Sequence, residues 1–260
     1  SAMVKAAYSC GKPALGVGAG NVPAYVHKDA KLKQAVNDIV LSKSFDNGMI
    51  CASEQAAIVD TEHYKEFIEL MKKHHVYFVN KEEKAKLEEL VFGAKANSKN
   101  CAGAKLNAQV VGKSAEHIAE LAGFEVPKGT VILAAEVKEV GENEPLTREK
   151  LSPILAVLKS ISTEDGIEKS RQMVEFNGLG HSAAVHTQDE EVAEQFGKAV
   201  PACRILWNSP STFGGIGDIY NALIPSLTLG CGSYGGNSVS GNIGAVNLLN
   251  YKIIGRRNNN

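Results

Sequence analysis

The sequence predicts an α/β fold: a doubly wound, largely parallel sheet with a C-terminal oligomerisation strand. Three observations point there. Short apolar runs alternate with segments of helical periodicity along most of the chain: Ala56-Ala57-Ile58-Val59, Val76-Tyr77-Phe78-Val79, Val131-Ile132-Leu133-Ala134 and Ile154-Leu155-Ala156-Val157-Leu158. These runs are apolar throughout rather than every second residue, the pattern of strands covered on both faces. A length of 260 residues, with 44% hydrophobic and 22% charged residues, is enough to bury such a sheet.

Residues 3–12 read as the end of a helix or a loop. The stretch 12–26, Lys-Pro-Ala-Leu-Gly-Val-Gly-Ala-Gly-Asn-Val-Pro-Ala-Tyr-Val, carries alternate glycines at Gly16, Gly18 and Gly20. Bare backbone there suits either a phosphate cradle or a tight backbone approach lining a cleft. The spacing is not G-x-G-x-x-G, so the second reading is the stronger. Asp29 is placed to cap a helix running to about Ser44, with Leu32, Val36, Ile39 and Val40 on its apolar face. A strand over 55–59 leads to a helix over 61–74 with Phe67, Ile68 and Met71 on one face, then a short strand over 76–79. The helix over 81–92 carries a Lys/Glu run that reads as a solvated face. Residues 94–113 are irregular, and Ser114 caps a short helix to Ala122. Strands over 131–134 and 154–158 enclose a polar connection. Helices over 163–175 and 189–198 bracket a strand over 182–186, and 203–207 is a further strand.

From Asn208 the texture changes. Residues 208–244 are too glycine-rich for a core element and too apolar for a free linker, so an ordered loop packed near a site or partner is expected. The segment 246–254 reads as a strand that would expose apolar groups unless it paired with another subunit. The chain thus divides into three parts: an N-terminal segment 1–12, whose Ser1 and Ala2 look like an expression-vector remnant, a domain over 13–244, and an oligomerisation strand with linker over 245–260.

A formal net charge of −1 gives no electrostatic case for nucleic acid or an anionic membrane. No apolar run approaches the roughly 20 residues needed to cross a bilayer, and no signal peptide precedes Met3, so a cytoplasmic protein is expected. The five cysteines, Cys10, Cys51, Cys101, Cys203 and Cys231, form no C-x-x-C pair, and His74-His75 diverge on a helix. No metal site is expected.

One cysteine stands out. Ser44-Phe45-Asp46-Asn47-Gly48-Met49-Ile50-Cys51-Ala52-Ser53-Glu54-Gln55 joins a helix to a strand through an Asn-Gly turn. Both turn residues tolerate positive φ. A cysteine just beyond such a turn is either a nucleophile presented to a cleft or a small buried hydrophobe.

Taken together, this segment, Lys12 to Val26, Glu149-Lys150-Leu151-Ser152-Pro153, Gly178-Leu179-Gly180-His181-Ser182 and Pro225-Ser226-Leu227-Thr228-Leu229-Gly230-Cys231-Gly232-Ser233 resemble the aldehyde dehydrogenase superfamily. More narrowly they are similar to the CoA-acylating aldehyde dehydrogenase half of bifunctional aldehyde–alcohol dehydrogenases. The resemblance implies that Cys51 is the nucleophile, forming a thiohemiacetal with an aldehyde and, after hydride passes to NAD, a thioester released to coenzyme A. The other four cysteines are implied to be structural, and the Cys51 backbone N–H is a candidate to hold the oxyanion.

Hydrolytic members carry a water-activating Glu in the segment matching Val17-Gly18-Ala19-Gly20-Asn21; no acid lies between Lys12 and Asp29, so CoA thiol rather than water is the implied acceptor. Glu149 matches the acid that holds the nicotinamide ribose, although Leu151 and Ser152 replace the usual aromatic and glycine. Glu149, Gly18 and Gly20 are thus the cofactor-binding candidates. His181 matches a histidine of the acylating group, to be weighed as a proton carrier for the CoA sulfur or as a satisfied strand-end histidine.

By the same resemblance, a dinucleotide-binding domain and an oxyanion-hole asparagine would lie upstream and an iron-dependent alcohol dehydrogenase half downstream. The chain is then expected to be a homo-oligomer-forming portion without NAD turnover of its own. An acyl-phosphate reductase of the same fold, an assembly module and a thiol redox protein are the rival readings.

Overall fold

The computed structural model describes residues 2–93 and 105–258. The strands are β1 (Val22–Val26), β2 (Glu54–Asp60), β3 (Val76–Phe78), β4 (Ile132–Glu136), β5 (Ile154–Ser160), β6 (Gly180–His186) and β7 (Ala202–Trp207). They form one sheet in the order β3-β4-β5-β2-β1-β6-β7, with every neighbouring pair parallel. The helices among the described residues are α1 (Ala2–Ser9), α2 (Leu32–Ser44), α3 (Thr61–Lys73), α4 (Lys81–Phe92), α5 (Ala115–Ala122), α6 (Thr163–Asn177), α7 (Glu190–Ala199) and α8 (Ser211–Ile216).

The sheet is wound on both sides because successive strand residues face opposite ways. Ala24, Val26, Ala57, Val59, Leu155 and Val157 meet Val36 and Ile39 of α2 and Phe67 and Met71 of α3. Tyr25, Ile58, Leu158 and Val185 meet Ile167, Met173 and Val174 of α6 and Phe196 of α7. A third cluster joins Leu133 and Ile154 to Leu87 and Val91 of α4 and Ile118 of α5. Each large side chain so buried contributes roughly 1.5–3 kcal/mol of transfer free energy, and that explains the uniformly apolar strands.

Four sequence expectations change. The end of the glycine-rich stretch is β1, an interior strand between β2 and β6. Pro23 concealed it, since proline lacks an N–H and is normally kept from interior ladders. Here the pairing with β2 shifts register between Val22 and Pro23, and the proline sits at that irregularity. Asp29 does not cap α2: the cap position is Lys31, with no side-chain cap bond. Asp29 Oδ1 instead lies 2.7 Å from His27 Nδ1 and accepts from Thr187 Oγ1 at 2.8 Å and Gln188 N at 3.1 Å, tying the end of β1 to the end of β6.

The segment 246–254 is not a strand. Ala245–Leu248 is a short 3₁₀ turn, and the backbone from Leu249 onward is irregular. A strand needs a partner's N–H and C=O groups, and no described strand of this chain runs beside it; Ile253 and Ile254 are 93% and 94% exposed. The Lys/Glu face of α4 is only partly solvated, since Lys84 reaches inward to Glu88 and Glu144.

The other boundaries agree closely. Ser114 caps α5 by accepting from His117 N, and Asn80 and Glu83 form an unforeseen capping box on α4. The 208–244 region is ordered, containing α8, a bridge between Leu229 and Asn242, and the buried Leu229 and Cys231. Of the irregular span 94–113, residues 94–104, with Cys101, lie outside the described residues; 105–113 form turns. Helix α1 packs onto the domain through Tyr8 Oη, which donates to Gly16 O at 3.0 Å and accepts from Gly16 N at 3.1 Å and Ser238 N at 3.1 Å.

Candidate active site

The candidate residues gather at one edge of the sheet. Gly18 and Gly20 lead into β1, Cys51 into β2 and Glu149 into β5, while His181 is the second residue of β6. These four strands are adjacent and parallel, so their amino ends share an edge. Open α/β sheets more often bind ligands at the carboxyl ends.

The Cys51 turn is built from consecutive left-handed residues: Asp46 (φ 49°), Asn47 (φ 49°) and Gly48 (φ 66°). Asn47 Nδ2 donates to Gly112 O at 3.0 Å, and Ser53 N closes onto Ile50 O at 2.9 Å. Gly48 can be nothing else, because a Cβ there would stand 2.6 Å from Ser152 O. The turn is thereby pressed onto the segment that carries Glu149. Gly20 makes the second close approach. A Cβ on it would stand 2.0 Å from the Cys51 carbonyl oxygen and 3.2 Å from Cγ of His181, so only glycine lets these three segments meet.

The glycine N–H groups already have partners. Gly20 N donates to Glu149 Oε1 at 2.9 Å, and Gly18 N donates to Asn237 Oδ1 at 3.2 Å, an oxygen that also accepts from Cys231 N at 3.0 Å. A Cβ at Gly18 would lie 3.5 Å from Cys231 Sγ. The stretch thus works by close approach, and neither N–H is open to cradle a phosphate.

Cys51 is half-buried, and burial pushes its thiol up to about 11. The Glu149 carboxylate and Cys231 add to the rise, while its own backbone N–H and Arg204 oppose it. At neutral pH the sulfur carries its proton, so attack on a carbonyl needs that proton to leave. Burial also raises Glu149 above the ordinary carboxylate range, against the Gly20 N–H, Lys43 and Lys150. His181 is fully buried; burial, with Arg204 adding, brings it down to about 3, which makes it a neutral imidazole at physiological pH. Its Nδ1 lies 3.1 Å from Ser182 Oγ, and its Nε2 has no partner among the described residues.

Arg204, on β7, was not foreseen. It is 4% exposed. Its Nη1 donates to His181 O at 2.8 Å, Nη2 to Gly230 O and, at 3.3 Å, to Ser240 O, and Nε to Asn242 Oδ1 at 3.0 Å. It binds the 230–242 loop to the start of β6 and sets a cation within reach of Cys51, Cys203 and Cys231. The one sequence signal was an arginine inside an otherwise apolar strand. Cys231, expected to be structural, also belongs to this neighbourhood through Gly18. No group of three or more histidine, cysteine or acidic residues among the described residues could hold a metal ion.

Residues 2–218 match the model of the aldehyde dehydrogenase family. The aldehyde-alcohol dehydrogenase of Streptococcus pneumoniae serotype 4 is 74% identical over 260 residues, covering 100% of this chain and 29% of that protein. The chain therefore spans under a third of this relative's length. An acetylating aldehyde dehydrogenase from Geobacillus thermoglucosidasius superposes with a TM-score of 0.88 at 42% identity, over 98% of this chain and 56% of that one. A propionaldehyde dehydrogenase from Rhodopseudomonas palustris, solved with bound CoA and an acylated cysteine, superposes with a TM-score of 0.75 at 27% identity, over 92% of this chain and 51% of that one. A doubly wound sheet, a cysteine turn at the amino end of β2 and a family match across most of its length lead to one conclusion: the chain belongs to the aldehyde dehydrogenase family.

Proposed function

We propose that the chain carries the thioester-forming chemistry of an NAD-dependent, CoA-acylating aldehyde dehydrogenase, acetaldehyde and acetyl-CoA being the preferred pair. The observation that carries this reading is the carboxylate inventory around Cys51. The segment 17–20 offers no acid, and the carboxylate whose charge bears on Cys51, Glu149, has Oε1 tied to the Gly20 N–H. No carboxylate of the 17–20 segment can activate water against an acyl-Cys51, so release falls to an acceptor that brings its own nucleophile, the CoA thiol.

In the acyl-CoA direction, the Cys51 sulfur adds to the thioester carbonyl and its proton leaves with the departing CoA sulfur. Cys51 is left as an acyl thioester. Arg204 favours the developing thiolate. His181 enters as a neutral imidazole that stays unprotonated, its Nε2, without a partner among the described residues, offering a hydrogen-bond acceptor to the CoA thiol. NAD, when bound, supplies the hydride exchange between thiohemiacetal and thioester. Glu149 is the residue of this chain fitted to hold its nicotinamide ribose, its carboxylate fixed through Oε1 by the Gly20 N–H.

The relative's name and length support an alcohol dehydrogenase half in a longer protein. The exposed apolar residues Leu248, Leu249, Tyr251, Ile253 and Ile254 support contact with a second copy. Among the described residues, no helix is long and apolar enough to cross a membrane.

Intact-mass measurement after exposure to acetyl-CoA or acetyl phosphate tests the reading. Acetyl-CoA is expected to add one acetyl group to the wild type and none to Cys51→Ala. Loading from acetyl phosphate alone would favour an acyl-phosphate reductase.

A further inference from the structure

Lys150 lies between Glu149 and the left-handed Leu151 (φ 46°), and it is fully buried. Its ammonium has three N–H groups and meets three carbonyl oxygens: Leu146 O at 2.6 Å, Arg148 O at 2.8 Å and Gln55 O at 3.1 Å. Its backbone N–H donates to Gln55 Oε1 at 3.0 Å, and Gln55 Nε2 returns to Ser53 O at 3.1 Å. Burial pushes the ammonium well below its ordinary range, Lys43 adds to this and Glu149 opposes it. Three donors matched to three acceptors nevertheless suit the protonated form, since a neutral amine would turn a lone pair on one carbonyl.

Burying an ammonium is costly where an apolar side chain would fill the same space. The position of its acceptors shows what this one does. Leu146 and Arg148 lie in the loop just before Glu149, and Gln55 stands on β2, just beyond Cys51. A left-handed branched residue such as Leu151 persists only where its surroundings hold it. Here Gly112 N donates to Leu151 O at 3.0 Å, and Ser152 O abuts Gly48 of the cysteine turn.

We propose that Lys150 is a positioning residue: its buried ammonium pins the 146–150 loop to the start of β2 and so holds the Glu149 carboxylate on the Gly20 N–H, beside Cys51. Without that cation the buried carboxylate protonates or swings away, and its charge leaves the nucleophile. Among side chains, Glu149, Cys231 and Arg204 bear on Cys51, and Lys43 and Lys150 bear on Glu149. This rests on the thioester reading for its purpose, but its test does not.

The test is a double-mutant cycle read as the pH midpoint of Cys51 alkylation by iodoacetamide, followed by mass in wild type, Glu149→Gln, Lys150→Met and the double variant. Each single substitution is expected to lower the midpoint by about one pH unit, an alkylation about ten-fold faster at pH 9. The double variant is expected to match Glu149→Gln. A Lys150→Met effect that persists in the Glu149→Gln background, or a midpoint that neither single substitution moves, overturns the proposal. If Lys150→Met does not fold, Lys150→Gln in the same cycle removes the charge while keeping a donor for the carbonyls, with the same outcomes. Alkylation needs no CoA, so failure of acetyl-CoA to load the wild type would sink the thioester reading and leave the cycle readable.

Discussion

The Cys51 sulfur is held in reserve. Burial and the Glu149 charge keep it protonated, and Arg204 and its own N–H pull the other way. Iodoacetamide alkylation of Cys51 should therefore rise about ten-fold per pH unit up to about 11. A plateau by pH 8 would show an activated thiolate instead. At this scale the sequence was informative where the signal is local. Asn47-Gly48 before Cys51 marks a turn because both residues accept positive φ, and that is where both lie. Arg204 was illegible, because its acceptors come from residues 181, 230, 240 and 242, which no spacing rule brings together. Gly20 was singled out for bare backbone, but its N–H meets an acid far along the chain, Glu149.

Among the elements, the cysteine turn and the segment 149–152 behave as one piece. Gly48→Ala must place a Cβ 2.6 Å from Ser152 O at a φ of 66°, so it should cost about 1–3 kcal/mol in urea unfolding. Acetyl-CoA loading of Cys51 should slow more than ~10-fold, since small misplacements of a reacting group are costly. Unchanged loading would mean that the turn does not position the sulfur. Strands β2 to β7 were legible as apolar runs, and α3 and α4 as periodic ones. The interior strand β1 was not, because Pro23 and the preceding glycines obey the rules for loops, and the register shift that accommodates the proline is a tertiary fact. The 246–254 segment misled in the opposite sense. Its β propensity is real, but no described strand runs beside it to pair with.

For the whole molecule, two buried neutral histidines weaken the fold in acid. His181 and His186 are brought to about 3 and about 4 by burial, from 6.5. Between those values and 6.5 the unfolded chain binds protons that the fold does not, so their contribution is intact above pH 6.5 and is lost as pH falls. Glu54 and Asp38, raised by burial to about 7 and about 6, act oppositely, stabilising more as pH falls from those values. The clean measurement is the difference between wild type and His186→Gln: the variant's urea midpoint should fall less steeply between pH 6.5 and 4. Equal slopes would mean that His186 is not held neutral.

The group that releases the acyl chain decides the reaction class. An acyl-Cys51 adduct, purified from excess acetyl-CoA and followed by intact mass, should persist in buffer and be cleared promptly by added CoA. Clearance in buffer as fast as with CoA would show that water is the acceptor and contradict a CoA-acylating enzyme.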